Sequence, residues 1–337
     1  MATKITDAMV KRATMLLTYL RTEKKEENPY RYDELASQTY EKDYKYLDYA
    51  YKLKQLTDDT VGMISDLYIM YAISVLRAGT IWDISVIIQR LRDTYKEEEL
   101  LLPSADRDVI KSCLHRLERF GMVYQHGYVL ENGPKGKKHY TIYSLDKENL
   151  SLLNQALSKN IRGIPYLQVM PLYQIIGLAA SGHTMAKLLS HKQFERFGSC
   201  VASTKYMNDI LMPHEIVLKD AEGERTYIGF RSGYFQKVEG VMTTEDVQRN
   251  LHYELNLLRN YVDCRSKTGD VVLVITLDGV ESFEVIKEMI EEYNFVDHIL
   301  PQIYFTSYGL MEKGEYFSLM KKKDGECIAY AVTPSFV

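Results

Sequence analysis

Residues 104–145 constrain the fold of this chain more than any other stretch, because they switch from a helical to a strand periodicity. The first part predicts an amphipathic helix over residues 104–120, with Ser104 as its N-cap. Its apolar side recurs at helical spacing: Ile110, Cys113, Leu114, Leu117 and Phe120. Asp106 and Asp108 favour the positive end of the helix dipole. Gly121 follows as the C-terminal stop of the helix.

The second part of this stretch predicts a β-hairpin. Residues 122–130 and 139–145 are rich in Tyr, Val and Ile, which favour strands. Between them lies the sequence ENGPKGKK, whose Gly, Pro and Asn residues have the chemistry of a hairpin turn. The tip therefore carries three lysines, with no acidic residue nearer than Glu131.

Two further helices are predicted upstream, over residues 64–77 and 84–95, separated by a short turn at residues 78–80. Helix, turn, helix, loop, helix and hairpin is the order that a winged helix-turn-helix domain requires. In such a domain the third helix enters the major groove of DNA and the hairpin, or wing, lies along the adjacent backbone. The residues predicted to bind DNA are Arg107, Lys111, Ser112, His115, Arg116, Arg119, Lys135, Lys137, Lys138 and His139.

The charge of the chain limits what kind of DNA binding is expected. The net charge is −4, so no general basic field draws the protein to nucleic acid. Residues 104–145 reverse this balance locally, with seven Lys and Arg against four Asp and Glu. The sequence therefore predicts a limited and specific footprint on DNA.

The rest of the chain predicts a multidomain α+β or α/β protein. A long buried strand (VVLVITLDG), a helix and another strand (HILPQIYFTSYG) indicate a βαβ unit, and a hairpin closes the chain. The predicted divisions are a helical, tyrosine-rich extension over residues 1–60, the winged helix over 61–160, a linker over 161–182 and a C-terminal α/β domain over 183–337.

Catalytic motifs are harder to find in this sequence. A PD-(D/E)xK nuclease needs carboxylates and a lysine on adjacent strands to hold Mg²⁺ and orient water, and the predicted strands do not supply them. Phosphate-binding loops and metalloprotease motifs are absent from the sequence. For His214-Glu215, at the start of a strand, a capping or packing role is favoured over a catalytic one. No catalytic residue, metal site or cofactor is predicted, and a nuclease-like C-terminal domain would be degenerate.

The order of these parts resembles the replication-relaxation proteins of plasmids and conjugative elements. The matching pieces are CLHRLERFGMVYQHG with KKHYTIYSLDKENL, and VVLVITLDGVESFEVIKEMI with ILPQIYFTSYGL. They cover under half of the chain. The resemblance implies a winged helix followed by a domain like a degenerate PD-(D/E)xK nuclease. It also implies a DNA-binding role in replication, transfer or transcriptional regulation of a mobile element.

The leading hypothesis is a cytoplasmic protein that binds double-stranded DNA as a homodimer. The N-terminus has no apolar signal core and no run of residues suits a membrane span. The four cysteines lie far apart and form no metal-binding pair. Two alternatives remain open: a metal-dependent nuclease, and a scaffold that uses the winged helix and the tyrosine-rich surface for protein contacts only. The C-terminal domain and the tyrosine-rich region are the candidate surfaces for a protein partner.

Overall fold

The computed structural model divides the chain into two compact units. One, the sheet unit, comprises Met1–Tyr30 and Phe194–Val337, and the other, the helix-hairpin unit, comprises Arg31–Gln193. The structure describes residues 16, 20, 30, 35–38, 61–94, 102–133, 136–145, 147–156, 172–190, 194–201, 210–232, 256–280, 283, 284, 286, 287, 302–321 and 327–334. Both units mix helix and sheet, which agrees with the predicted α+β class.

The helix-hairpin unit contains five helices and one small sheet among its described residues. Its helices are α1 (Val61–Leu76), α2 (Ile81–Thr94), α3 (Arg107–Arg119), α4 (Lys147–Ala156) and α5 (Leu172–Leu189). Its strands are β1 (Leu35–Gln38), β2 (Ala78–Gly79), β3 (Tyr124–Gly133) and β4 (Gly136–Ser144), arranged in the order β1-β3-β4-β2. Strand β2 pairs antiparallel with β4, so the turn between α1 and α2 is tied to the hairpin.

The ends of α3 follow from local hydrogen bonds. Its N-cap is Asp106, whose carboxylate accepts hydrogen bonds from the backbone N–H groups of Asp108 (2.8 Å) and Val109 (3.3 Å). The predicted N-cap, Ser104, is wrong, because its hydroxyl accepts from the N–H of Asp106 before the helix begins. At the other end Gly121 has φ of +64°, which confirms it as the helix stop.

The C-terminus of α3 also fixes where the hairpin starts. The N–H of Gly121 donates to the carbonyl of Glu118, and the N–H of Met122 donates to that of Leu117, both at 2.9 Å. This pair of bonds is a Schellman motif, in which a left-handed residue satisfies the last helix carbonyls. Met122 and Leu117 are both buried, as the hydrophobic contact of that motif requires. The chain therefore leaves α3 directly into the core beside β3.

The hairpin is longer than the sequence predicted. Strands β3 and β4 pair antiparallel from Tyr124 opposite Ser144 to Gly133 opposite Gly136, so only two residues connect them. The small β1 strand, Leu35–Gln38, pairs with the outer side of β3. This strand corrects the prediction that residues 1–60 form a helical extension. Its backbone is recruited by a partner about a hundred residues away, which a local pattern does not reveal.

Helix α5 corrects the predicted domain boundary. It contains residues that were assigned to the linker (161–182) and to the C-terminal domain (183–337), yet it lies wholly in the helix-hairpin unit and packs on β2 and α2. Its His183 Nδ1 lies 2.6 Å from Asp83 Oδ1 on α2, and both side chains are buried. The same Asp83 accepts hydrogen bonds from the N–H and hydroxyl of Thr80, as in a helix capping box. The division of the chain therefore falls between Gln193 and Phe194.

The sheet unit is built on a seven-stranded sheet whose strands follow chain order. They are β5 (Arg196–Val201), β6 (Ile210–Lys219), β7 (Arg225–Ser232), β8 (Asp270–Leu277), β9 (Gln302–Ser307), β10 (Tyr316–Lys321) and β11 (Cys327–Val332). The β7–β8 and β8–β9 pairs are parallel, and the other four pairs are antiparallel. The predicted buried strand, its parallel successor and the closing hairpin are confirmed.

The core of the sheet unit lies between this sheet and a helix, α6, whose described part covers residues 256–265. Gly229 on β7 permits the close approach of α6, because a Cβ there would lie 2.9 Å from Cε1 of Tyr261. Leu16 and Leu20 are buried in the same core. Leu16 and Leu20 therefore belong to the sheet unit and Leu35–Gln38 to the helix-hairpin unit, so the predicted 1–60 division is not one domain.

Candidate nucleic-acid interface

One face of α3 carries a continuous row of basic side chains. Arg107, Lys111, His115 and Arg119 lie four residues apart, and all four are exposed. At a rise of 1.5 Å per residue, the row is about 18 Å long. The opposite face of the helix is buried and holds it in the unit: Ile110, Cys113, Leu114 and Leu117. We call the row of exposed residues on the first face, from Arg107 to Arg119, the basic ridge.

Beside the basic ridge lie two exposed residues that are not charged. Ser112, a predicted site residue, donates its hydroxyl hydrogen to the carbonyl of Asp108 at 2.9 Å, which leaves its oxygen as an acceptor. Val109 is 41% exposed and is the one large apolar side chain in the described residues with such exposure. Val109 was not among the residues predicted to bind DNA. Its signal was an apolar residue three positions before Ser112, away from the buried stripe.

Arg116, predicted to face DNA, is engaged inside the unit. Its Nε and Nη2 donate to the two carboxylate oxygens of Asp66 on α1, each at 2.6 Å. The Asp66 side chain is only 5% exposed, whereas that of Arg116 is 40% exposed. Hydrogen bonding to Asp66 raises the pKa of Arg116, so the guanidinium stays charged. The pair joins α3 to α1, and Arg116 is therefore an anchor of the helix and not a member of the basic ridge.

The sequence feature that indicates this ion pair is an acidic residue, Asp66, within an otherwise apolar helix. Asp66 lies in α1, where most of its neighbours are apolar and buried. A carboxylate in such a position needs a cationic or hydrogen-bonding partner. The partner is 50 residues away in sequence, so the pattern of α1 alone does not identify it.

A second buried acid lies below the C-terminal half of the ridge. The side chain of Glu118 is 5% exposed, and its Oε2 lies 3.6 Å from His115 Nδ1. With its amide nitrogen turned toward α3, Gln125 on β3 donates to the same carboxylate. Glu118 therefore joins the end of α3 to the start of the hairpin and holds His115 beside it.

Of the four basic residues predicted on the wing, three lie within the described part of the hairpin. Lys137, Lys138 and His139 lie on β4, with Lys138 opposite Leu130 and His139 opposite Val129. Lys135 lies outside the described residues. Lys137 and Lys138 are therefore part of the strand and not of the turn that the sequence predicted, whereas His139 lies in the strand as predicted.

Another histidine of the hairpin is held neutral. Burial lowers the pKa of His126 on β3 to about 4. Its Nε2 lies 2.7 Å from the hydroxyl oxygen of Ser144 on β4. His126 therefore cross-links the two strands and adds no positive charge near neutral pH.

The sheet unit holds its own buried carboxylate at the position predicted for packing. Glu215 on β6 is 2% exposed and accepts hydrogen bonds from Nε and Nη2 of Arg265 on α6, at 2.6 and 2.7 Å. Arg196 on β5 donates to it as well, at 3.2 Å. Its neighbour His214 is fully buried. The two arginines thus occupy Glu215 as counter-ions within the fold.

Metal-binding residues are not grouped in the described part of the chain. Across those residues, no cluster of three or more His, Cys, Asp or Glu side chains could hold a metal ion.

No protein-family model matches this chain, and no curated protein sequence matches it. Of the helices in the described residues, none has the length and apolar character needed to cross a bilayer.

Proposed function

We propose that this protein binds double-stranded DNA through a winged helix formed by the helix-hairpin unit. The order α1, β2, α2, α3, β3, β4 supports the proposal, because a winged helix has a short strand between its first two helices and a hairpin after the third. The pairing of β2 with β4 supports it too, since it encloses the three helices and the hairpin in one small core. Helix α3 would be the recognition helix.

The observation that carries the proposal is the basic ridge. A helix in the major groove presents one face to base edges and flanking phosphates, and cations along that face make both kinds of contact. Arg107, Lys111 and Arg119 are exposed cations along that face, His115 lies among them beside Glu118, and the apolar face of α3 stays buried. Near the N-terminal end, Val109 offers methyl groups that suit the methyl group of thymine, and the hydroxyl oxygen of Ser112 can accept a hydrogen bond from an amino group on a base edge.

The hairpin β3–β4 would act as the wing. Lys135, Lys137, Lys138 and His139 would then lie along the DNA backbone next to the groove that α3 occupies. Because phosphate contacts position a protein without reading sequence, this part of the interface supplies affinity alone, whereas α3 supplies both affinity and specificity. The net charge of −4 keeps the remaining surface from binding DNA generally.

The biological setting follows from the resemblance to replication-relaxation proteins. We propose a cytoplasmic role in replication, transfer or transcriptional regulation of a mobile element. The sheet unit would serve as the assembly or partner-binding part of a homodimer, with a fold like that of a degenerate PD-(D/E)xK nuclease. The ion pair of Glu215 with Arg265 supports a structural role for this buried carboxylate, because both of its oxygens accept hydrogen bonds from the guanidinium.

A salt-dependence measurement tests the proposal. Fluorescence anisotropy of a labelled random-sequence duplex gives the dissociation constant at several salt concentrations. Each phosphate contact contributes about 0.9 to the slope of log affinity against log salt concentration. Replacing both Lys111 and Arg119 by Ala should therefore lower that slope by roughly 2. Replacing Lys135, Lys137 and Lys138 together should lower it by roughly 2–3.

A matched control uses exposed cations of the sheet unit. Lys219→Ala together with Arg259→Ala removes the same two charges from exposed positions on β6 and α6. We expect this variant to keep the slope of the unmodified protein. An equal fall of the slope in the control, or no binding to any duplex at low salt, would contradict the proposal.

A further inference from the structure

The two edges of the seven-stranded sheet are built differently. Strand β11, Cys327–Val332, forms one edge and has the sequence CIAYAV, with no charged residue and no proline. It pairs with β10 over six consecutive residues without a bulge, from Tyr316 opposite Val332 to Lys321 opposite Cys327. In an antiparallel ladder every second residue directs its N–H and C=O away from the neighbouring strand. Among the described strands, none pairs with that outer side of β11.

The opposite edge, β5, carries the features that prevent further pairing. Its register with β6 shifts twice, between Gly198 and Cys200 and between Cys200 and Val201. Gly198 has φ of +157°, which departs from regular strand geometry. The strand begins with Arg196, whose guanidinium contacts Glu215. Bulges and charged residues are the usual means by which sheets block edge-to-edge association, and β5 has both.

We propose that β11 is a dimer interface, and that it pairs antiparallel with β11 of a second copy of this chain. Antiparallel self-pairing has two-fold symmetry, so both copies use the same strand and the assembly closes at two. An uncharged strand suits its own copy, because no like charges meet across the two-fold axis. A strand that had to reject its own copy would need a charge, a proline or a bulge, and β11 has none of them.

This interface extends the sheet from seven strands to fourteen across the axis. The inference stands on β10, β11 and β5 alone and does not depend on DNA binding. If both proposals hold, the dimer would present two α3 helices to DNA, and the bound sites would contain two related half-sites.

The first test measures mass and amide exchange on the unmodified full chain without DNA. Sedimentation should give twice the monomer mass of 39.1 kDa and a reversible fall toward that value on dilution. Amide hydrogen exchange in residues 327–332 should be slow in the dimer and faster after dilution. Exchange in residues 196–201 should stay the same at both concentrations. A monomer at every concentration, or a dimer whose residues 327–332 show no concentration dependence, would overturn the proposal.

The second test places proline in the edge strand. Of the adjacent residues Tyr330 and Ala331, one has its N–H directed away from β10, and proline there removes no bond within the monomer. We expect one of Tyr330→Pro and Ala331→Pro to remain folded by circular dichroism and to sediment as a monomer. If every folded proline variant stays dimeric, β11 is not the interface. If neither variant folds, the exchange measurement on the unmodified chain decides.

Discussion

Replacing Arg116 by Met should destabilise the helix-hairpin unit far more than the same change at Arg119. The two arginines lie three residues apart on α3, yet Arg116 is paired with buried Asp66 and Arg119 is exposed. Met keeps the helix propensity and the unbranched stem of the arginine side chain while it removes the guanidinium charge. The Arg116→Met variant therefore leaves the Asp66 carboxylate without its bidentate donor, and the Arg119→Met variant removes only a solvated charge.

The size of the effect follows from the exposure of the two partners. Breaking a fully buried ion pair by removing one member costs about 3–5 kcal/mol. Asp66 is 5% exposed, but Arg116 is 40% exposed, so water can reach part of the vacated space. We therefore expect the lower end, about 3 kcal/mol, for Arg116→Met. For Arg119→Met we expect a change within about 0.5 kcal/mol, as is usual for surface positions.

Urea denaturation followed by tryptophan fluorescence measures this difference in the free energy of unfolding of the helix-hairpin unit. Trp82 is the single tryptophan of the chain and lies on α2, so its emission reports the unfolding of the helix-hairpin unit. Adding Asp66→Asn to Arg116→Met removes the buried charge and should recover part of the loss. The expected coupling between the two positions is roughly 1–3 kcal/mol. Equal losses for Arg116→Met and Arg119→Met, or additive losses for Arg116→Met and Asp66→Asn, would refute this account of the pair.

Two more predictions concern the hairpin and the end of α3. Burial lowers the pKa of His126 to about 4, below the value of about 6.5 of an unfolded chain. The unfolded state therefore binds the proton first, and the free energy of unfolding should fall by up to about 3 kcal/mol as the pH drops from 6.5 to 4. Denaturation of His126→Gln across this range should lack that part of the pH dependence, and an unchanged curve would show that His126 is not the group responsible. Gly121→Ala should cost roughly 1 kcal/mol in the same assay, because its φ of +64° strains any residue with a Cβ, whereas no loss would mean that the chain can leave α3 by another path.

The order of the elements could be predicted from the sequence because each long element has a strong local pattern. The buried stripe of α3, the Gly121 stop and the apolar run of β8 are all periodicities within one segment. The predictions failed where a distant partner decides the outcome. Leu35–Gln38 forms a strand because it pairs with β3. Arg116, predicted to face DNA, is instead hydrogen-bonded to Asp66. Neither partner lies within the window from which a pattern is read.

The same distinction separates two kinds of basic residue on α3. Periodicity places Arg116 and Arg119 near the same side of the helix, but only the fold distinguishes an anchor from a surface cation. The anchor also matters for the proposed function, because α3 is fixed to α1 by the Asp66 ion pair as well as by its apolar face. A recognition helix that is already fixed loses little conformational entropy when it binds. Mutation of Arg116 should therefore shift α3 and weaken affinity for DNA without lowering the salt slope, whereas mutation of Arg119 should lower the slope by about 1. The slope thus separates the residue that positions the basic ridge from the residues that form it.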